Sequence, residues 1–234
     1  MLSNKIKYYL ASFRKKGIAE TFKQVGYDYY YNRKFSHYNF IFVATEPYTA
    51  TNSRASSEVL DKAKGRDGTL DSPTSSYYVF KYFKALKLNA KGINLLDIGC
   101  GSGKILTSGI ILGFNKVTGV DLDSKALIRA EENCKKAEKT PATTKYEIIN
   151  FDAAEFQIPG DINVIFLANP FYEATMKNVV SNISLSYREN KRLVYVIYHC
   201  PLYASLFDED PAFKTFYRGK LIDGRPEVII YQME

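Results

Sequence analysis

Little in this sequence invites cross-linking or metal chemistry. Three cysteines, Cys100, Cys134 and Cys200, are scattered over 234 residues with no Cys-x-x-Cys pair, and there are two histidines. That usage suggests neither a disulfide framework nor a zinc site, so no metal is expected. No apolar run approaches the roughly 18 residues of a membrane span, and the basic N-terminus lacks the apolar stretch of a secretory signal. No internal repeat is visible. The expectation is a soluble, cytoplasmic protein, long enough for one α/β domain with an extension.

Positive charge is in surplus, but in one place. Residues 1–34 hold eight lysines and arginines against Glu20 and Asp28, which accounts for +6 of a net +7. In this arm Leu2, Ile6, Tyr9, Leu10 and Phe13 recur at helical spacing, and Ile18, Phe22 and Val25 suggest a second short helix after Gly17. A tyrosine-rich run from Tyr27 to Tyr31 follows, then Phe35, Tyr38, Phe40 and Phe42. Such a basic, aromatic segment can pack its apolar side on the domain. Packing is the leading reading; the alternatives are an anionic membrane or glycan surface, peripheral to the membrane, and then a nucleic acid. Residues 44–76 are polar and loop-like, fitting either a lid or a linker.

The stretch Leu95-Leu96-Asp97-Ile98-Gly99-Cys100-Gly101-Ser102-Gly103-Lys104 turns an apolar strand sharply into a helix. Two phosphate-binding readings fail on what is missing. A dinucleotide fingerprint needs glycine at position 104, where Lys104 stands, and a P-loop needs glycine at 98 and a hydroxyl residue at 105, where Ile98 and Ile105 stand. The stretch resembles the first motif of class I S-adenosylmethionine-dependent methyltransferases, an acidic residue followed by Gly-x-Gly-x-Gly. That resemblance covers residues 71–234 and leaves residues 1–70 as arm and loop. It implies a Rossmann-like α/β fold, a mostly parallel seven-stranded sheet with a C-terminal antiparallel hairpin.

The pattern after the loop agrees. Strands are expected over Ile93–Ile98, Val117–Leu122, Tyr146–Asn150, Ile162–Ala168 and Arg192–Tyr198. Helices are expected over Lys104–Phe114, Lys125–Lys139 and Tyr172–Tyr187, as in a parallel sheet with right-handed crossovers. Phe213–Arg218 and Glu227–Gln232 fit the hairpin around Asp223-Gly224. A further helix carries Tyr77, Val79, Phe80, Phe83, Leu86 and Leu88 behind a Ser/Thr capping cluster.

The resemblance assigns candidate roles. Asp97, Gly99, Cys100, Gly101 and Gly103 form the cofactor loop. Asp121, at the end of the second strand, accepts the ribose hydroxyls, Leu122 packs on adenine, and Asp152 with Ala153 reads the adenine amino group. Thr74 and Tyr77 reach the methionine end. Asn169-Pro170-Phe171-Tyr172 is similar to the Asn/Asp-Pro-Pro-Tyr/Phe motif of enzymes that methylate amino groups, so Asn169 meets both cofactor and substrate and Pro170, Phe171 and Tyr172 line the substrate. Phe171 replaces the second proline, which leaves nitrogen and oxygen acceptors both open. His199, at a strand C-terminus, is a candidate general base. The arm, the Ser-Pro-Thr segment and Asn-Pro-Phe also resemble methyltransferase-domain proteins of bacterial surface-polysaccharide clusters. The expected activity is methyl transfer from S-adenosylmethionine to a small molecule or glycan. The alternatives are a nucleic acid or protein acceptor guided by the arm, or a cofactor-binding interaction module without catalysis.

Overall fold

The computed structural model describes residues 2–35, 40, 74, 76–138, 144–221 and 224–234. The lid or linker expected over residues 44–76 lies outside them, apart from Thr74 and Ser76. The described helices are α1 (Leu2–Phe35), α2 (Ser76–Leu86), α3 (Lys104–Leu112), α4 (Ser124–Ala137), α5 (Glu173–Glu189) and α6 (Ser205–Asp208). The strands are β1 (Asn94–Ile98), β2 (Lys116–Asp121), β3 (Lys145–Asn150), β4 (Val164–Leu167), β5 (Val194–His199), β6 (Lys214–Lys220) and β7 (Pro226–Met233).

The seven strands form one sheet in the order β3-β2-β1-β4-β5-β7-β6. The first five are parallel, and β7 runs antiparallel to both neighbours. From β1 the chain winds first toward β3 and then, through β4, the other way. The carboxyl ends of β1 and β4 therefore flank the switch point where open α/β sheets bind ligands.

β4 and, through Tyr198, β5 are continuous apolar runs because helices cover both faces. On one face Tyr82, Leu106 and Ile110 pack on Leu95, Phe166 and Ile197. On the other, Met176, Val179 and Phe207 pack on Leu96, Ile165 and Val196. Each such side chain, taken fully out of water, contributes about 1.5–3 kcal/mol. The helix expected over Lys104–Phe114 stops at Leu112, since left-handed Gly113 returns its N–H to Gly109 and Ile110, the geometry of a glycine C-cap.

The arm is two helices rather than one. Gly17 sits at φ 83°, ψ 172°, a conformation open essentially to glycine alone. Ser12 Oγ donates to Gln24 Oε1 at 2.8 Å, although twelve residues of straight helix would span ~18 Å. The halves thus fold back on one another. The second half runs to Phe35, so the tyrosine-rich run is helical. The Tyr27 ring packs on Tyr77 and Phe80 of α2, at 5.9 and 5.5 Å between centroids.

A charged chain of contacts locks this docking. Glu20 accepts from the Tyr77 hydroxyl and from Lys81 Nζ at 2.9 Å, and Lys81 also reaches buried Glu227 at 3.0 Å. Packing on the domain is therefore realised, while Leu10, Phe13, Ile18 and Phe22 face outward. No described helix is long and apolar enough to cross a membrane.

Candidate active site

The glycine loop is held by backbone geometry from four directions. Gly99 N–H and Cys100 N–H donate to Val120 O at 2.8 and 3.2 Å, tying the loop to β2. Gly101 N–H donates to Asp121 Oδ2 at 2.8 Å. Asn133 of α4 donates to Ser102 O at 3.0 Å. Gly103, at φ 78°, starts α3, and a Cβ there would lie 2.9 Å from Ala130 Cβ. Glycine is required because α4 crosses directly over the turn.

The opposite wall comes from β4. Gly99, at φ 80°, packs so closely on Pro170 that a Cβ would lie 2.4 Å from the proline Cβ. The first glycine of the loop and the Asn-Pro motif are thus one contact. Asn169 adopts φ 51°, a left-handed conformation that asparagine tolerates better than most residues. Its Oδ1 accepts from the Tyr198 hydroxyl at 3.0 Å, and that hydroxyl accepts from Tyr203 N–H at 3.3 Å. Burial pushes the Tyr198 phenol up to about 12, so it is a fixed donor at neutral pH.

Asp121 is gripped as well as poised. Its Oδ1 accepts from Asp123 N–H at 2.9 Å, while burial raises its pKa despite these bonds. A carboxylate offers about four acceptor positions, so capacity for hydroxyl donors remains. Asp123, and not Asp121, caps α4, accepting from Lys125 and Ala126 N–H at 2.9 and 3.2 Å. Asn150 reaches across from β3 to bond the carbonyls of Asp121 and Leu122, each at 3.0 Å. Asp152 Oδ1 accepts from Ala154 N–H at 2.9 Å, and Asn182 of α5 holds the Ala154 carbonyl at 3.1 Å. Asp97 and Ala153 are buried; Tyr172 is half exposed at the mouth of the crevice.

Two candidates face elsewhere. His199 points to the α2 side, where Nδ1 meets the Tyr82 hydroxyl at 2.9 Å and Nε2 meets Cys200 Sγ at 3.4 Å. Burial, with Lys16 and Lys81 nearby, lowers its pKa to about 4. Its neighbour Tyr198 is the β5 residue that reaches Asn169, because successive strand residues point to opposite faces. Alternation puts Tyr198 and His199 on opposite faces, but a strand buried on both faces does not tell which of them meets Asn169. Tyr77, in turn, gives its hydroxyl to Glu20 of the arm, and Thr74 is buried.

Residues 95–190 match a family model described as a methyltransferase domain. The ribosomal protein L11 methyltransferase of Polynucleobacter necessarius is 32% identical over 92 residues, which are 39% of this chain and 24% of that protein. That of Thermotoga maritima is 41% identical over 69 residues, 30% of this chain and 25% of the relative. The chain thus spans about a quarter of the length of these curated relatives. Among solved structures, Escherichia coli yhhF, assigned as a methyltransferase, superposes with TM-score 0.52 at 17% identity, over 70% of this chain and 88% of that one. Haemophilus influenzae HI0767, assigned as a methylase, gives 0.50 at 21% identity, over 69% and 99%. Strand order and glycine turn agree with that match: the fold is that of the methyltransferase structures, and residues 95–190 are similar to a methyltransferase domain.

Proposed function

We propose that this chain transfers the methyl group of S-adenosylmethionine to a nitrogen or oxygen presented at Asn169, and that the acceptor is part of a polyanionic macromolecule. The contact between Gly99 and Pro170 carries the reading. It sets the cofactor loop and the acceptor motif against each other at the sheet's switch point, where donor and acceptor have to meet.

The donor set suits a nucleoside bearing an amino-acid tail. Asp121 takes the ribose hydroxyls, Leu122 lies against the adenine, and Asp152 with Ala153 meets its edge. The bare turn from Gly99 to Gly103, with Asp97 below, takes the amino-acid end. When bound, the cofactor supplies a methyl already activated by a sulfonium. The protein orients the acceptor: Asn169 Oδ1, fixed by Tyr198, accepts a hydrogen from the incoming group, and Phe171 and Tyr172 flank it. Alignment of this kind contributes on the order of 7–11 kcal/mol, so no catalytic triad is needed. His199, bonded at both ring nitrogens, has no part in this scheme.

The charge distribution favours a polyanion, since +6 of the net +7 belongs to residues 1–34. The relatives named above are methyltransferases of a ribosomal protein, a macromolecular acceptor. Calorimetry with S-adenosylmethionine, followed by transfer of radiolabelled methyl to RNA, ribosomal protein and nucleotide-sugar pools, tests the proposal. Asp121→Ala is expected to weaken cofactor binding at least 10-fold. Unchanged affinity in a folded Asp121→Ala protein sinks the cofactor assignment, and label entering only the nucleotide sugars sinks the acceptor class.

A further inference from the structure

β6 is one of the two edges of the sheet among the described strands, and every residue of it except Gly219 is exposed. It carries Lys214, Arg218 and Lys220 and no acidic residue. Lysines on an edge strand discourage pairing with other chains, which accounts for the charge but not for the rings beside it. Phe216 and Tyr217 are 43% and 37% exposed.

A β-bulge puts both rings on one side. Thr215 pairs with Tyr231 and Tyr217 with Ile230, so Phe216 is an extra residue. Tyr217 stands opposite Ile230, and Phe216 lies edge-on to Tyr195 at 5.1 Å. Tyr195 and Ile230 both belong to the core layer under α2. Adjacent strand residues normally diverge; here the bulge aligns them.

That side is the one the arm occupies. Between arm, α2 and the end of β6 lies a groove of about 500 Å³ lined by Lys16, Lys23, Lys81, Lys220, Glu20 and Tyr217. Lys81 bridges Glu20 and the adjoining Glu227, Lys23 lies 3.7 Å from Glu20, and Lys16 bonds the Tyr78 hydroxyl, so four ammonium groups stand beside two carboxylates and the balance along the groove is positive. β6 runs in the same direction as β5, since both are antiparallel to β7. The Lys220 end of the groove therefore opens at the edge of the sheet where Asn169 follows β4. Three inter-strand steps separate them laterally, ~15 Å.

We infer that this face docks a single-stranded polynucleotide, resting on the reading of a polyanionic acceptor. Bases stack on Phe216 and Tyr217, and phosphates follow Lys214, Lys220 and the arm lysines toward the crevice. Aromatic platforms in a basic groove recognise single strands because every base has a π-face. A smooth anionic surface uses the lysines but gives paired, same-side rings no role.

The test uses the full chain and fluorescein-labelled 12-mers of single-stranded RNA, single-stranded DNA and duplex DNA, read by anisotropy across a salt series. Wild type should bind one or both single strands more tightly than duplex, and the preferred arm names the polymer. Y217A and F216A/Y217A should weaken binding by about 10-fold per ring. K214A/K220A should lower the salt slope by about 1.4. All should keep wild-type affinity for S-adenosylmethionine, which shows that they fold and keeps the cofactor assignment separate; should F216A/Y217A not fold, Y217A and K214A/K220A still decide. Ring variants that bind as wild type, equal affinity for duplex, or co-sedimentation with anionic vesicles without oligonucleotide binding would each overturn the inference. Oligonucleotide binding of the predicted kind without methyl incorporation into any nucleic acid would leave the docking face standing and refute the acceptor proposal alone.

Discussion

The Tyr198 hydroxyl donates to Asn169 Oδ1 at 3.0 Å, from β5 to the residue that follows β4. This bond orients a side chain held at a positive φ. Tyr198→Phe should lower kcat by about 10-fold while leaving the cofactor Kd unchanged, because the partners that lose the hydroxyl are the Asn169 amide and Tyr203 N–H, neither of which belongs to the glycine loop. The stability cost should be about 1 kcal/mol. Steady-state kinetics beside calorimetry separates the two effects, and a changed Kd with normal kcat would contradict the assignment.

Gly99→Ala should destabilise the fold by more than about 2 kcal/mol, combining overpacking against Pro170 with strain at φ 80°. Gly99→Ala with Pro170→Gly should recover part of that loss, since space returns although the strain stays. Urea denaturation of the two single variants and the double variant measures the coupling.

His199 carries a pH signature. Its pKa is about 4 in the fold against an ordinary 6.5, so below pH 6.5 the unfolded chain binds the extra proton. Stability from this group is complete above that pH and is lost as pH falls toward 4, by up to about 3 kcal/mol. His199→Gln should flatten the decline between pH 6.5 and 4 in denaturation midpoints. Wild-type kcat should show no limb near pH 6.5 from this residue.

Lys81 bridges Glu20 and Glu227, and the Glu227 side chain is 5% exposed. Lys81→Ala should cost about 3–5 kcal/mol, because it leaves a buried carboxylate without its cation. Lys81→Ala with Glu227→Gln should cost less than Lys81→Ala alone. Thermal unfolding of both, at fixed salt, gives the comparison.

What could be read in advance follows from how local each constraint is. The loop from Gly99 to Gly103 announces itself because positive φ and close neighbours exclude side chains at those positions, and Asp123 reads as a cap from its place before Ser124. Tyr198 and His199 could not be sorted, since β5 is apolar through Tyr198 and buried on both faces, which erases the alternation that tells sides apart. The bulge at Phe216 depends on pairing with β7, a partner no single segment specifies. The second helix of the arm runs past Val25 because Tyr27 packs on α2, and that tertiary contact outweighs a run of tyrosines with middling helix propensity.

Gly17 has a further consequence. Helical order propagates only along an uninterrupted ladder, so the ladder stops at Gly17 and the two limbs are joined by side chains instead. The limb holding Glu20 and Tyr27 stays clamped to the domain through Lys81. The limb holding Arg14 and Lys15 is fastened to it by the buried Ser12–Gln24 bond and reaches the domain through Lys16 and the Tyr78 hydroxyl. The reversal that lays the basic first limb back along the second therefore depends on one residue that has no side chain.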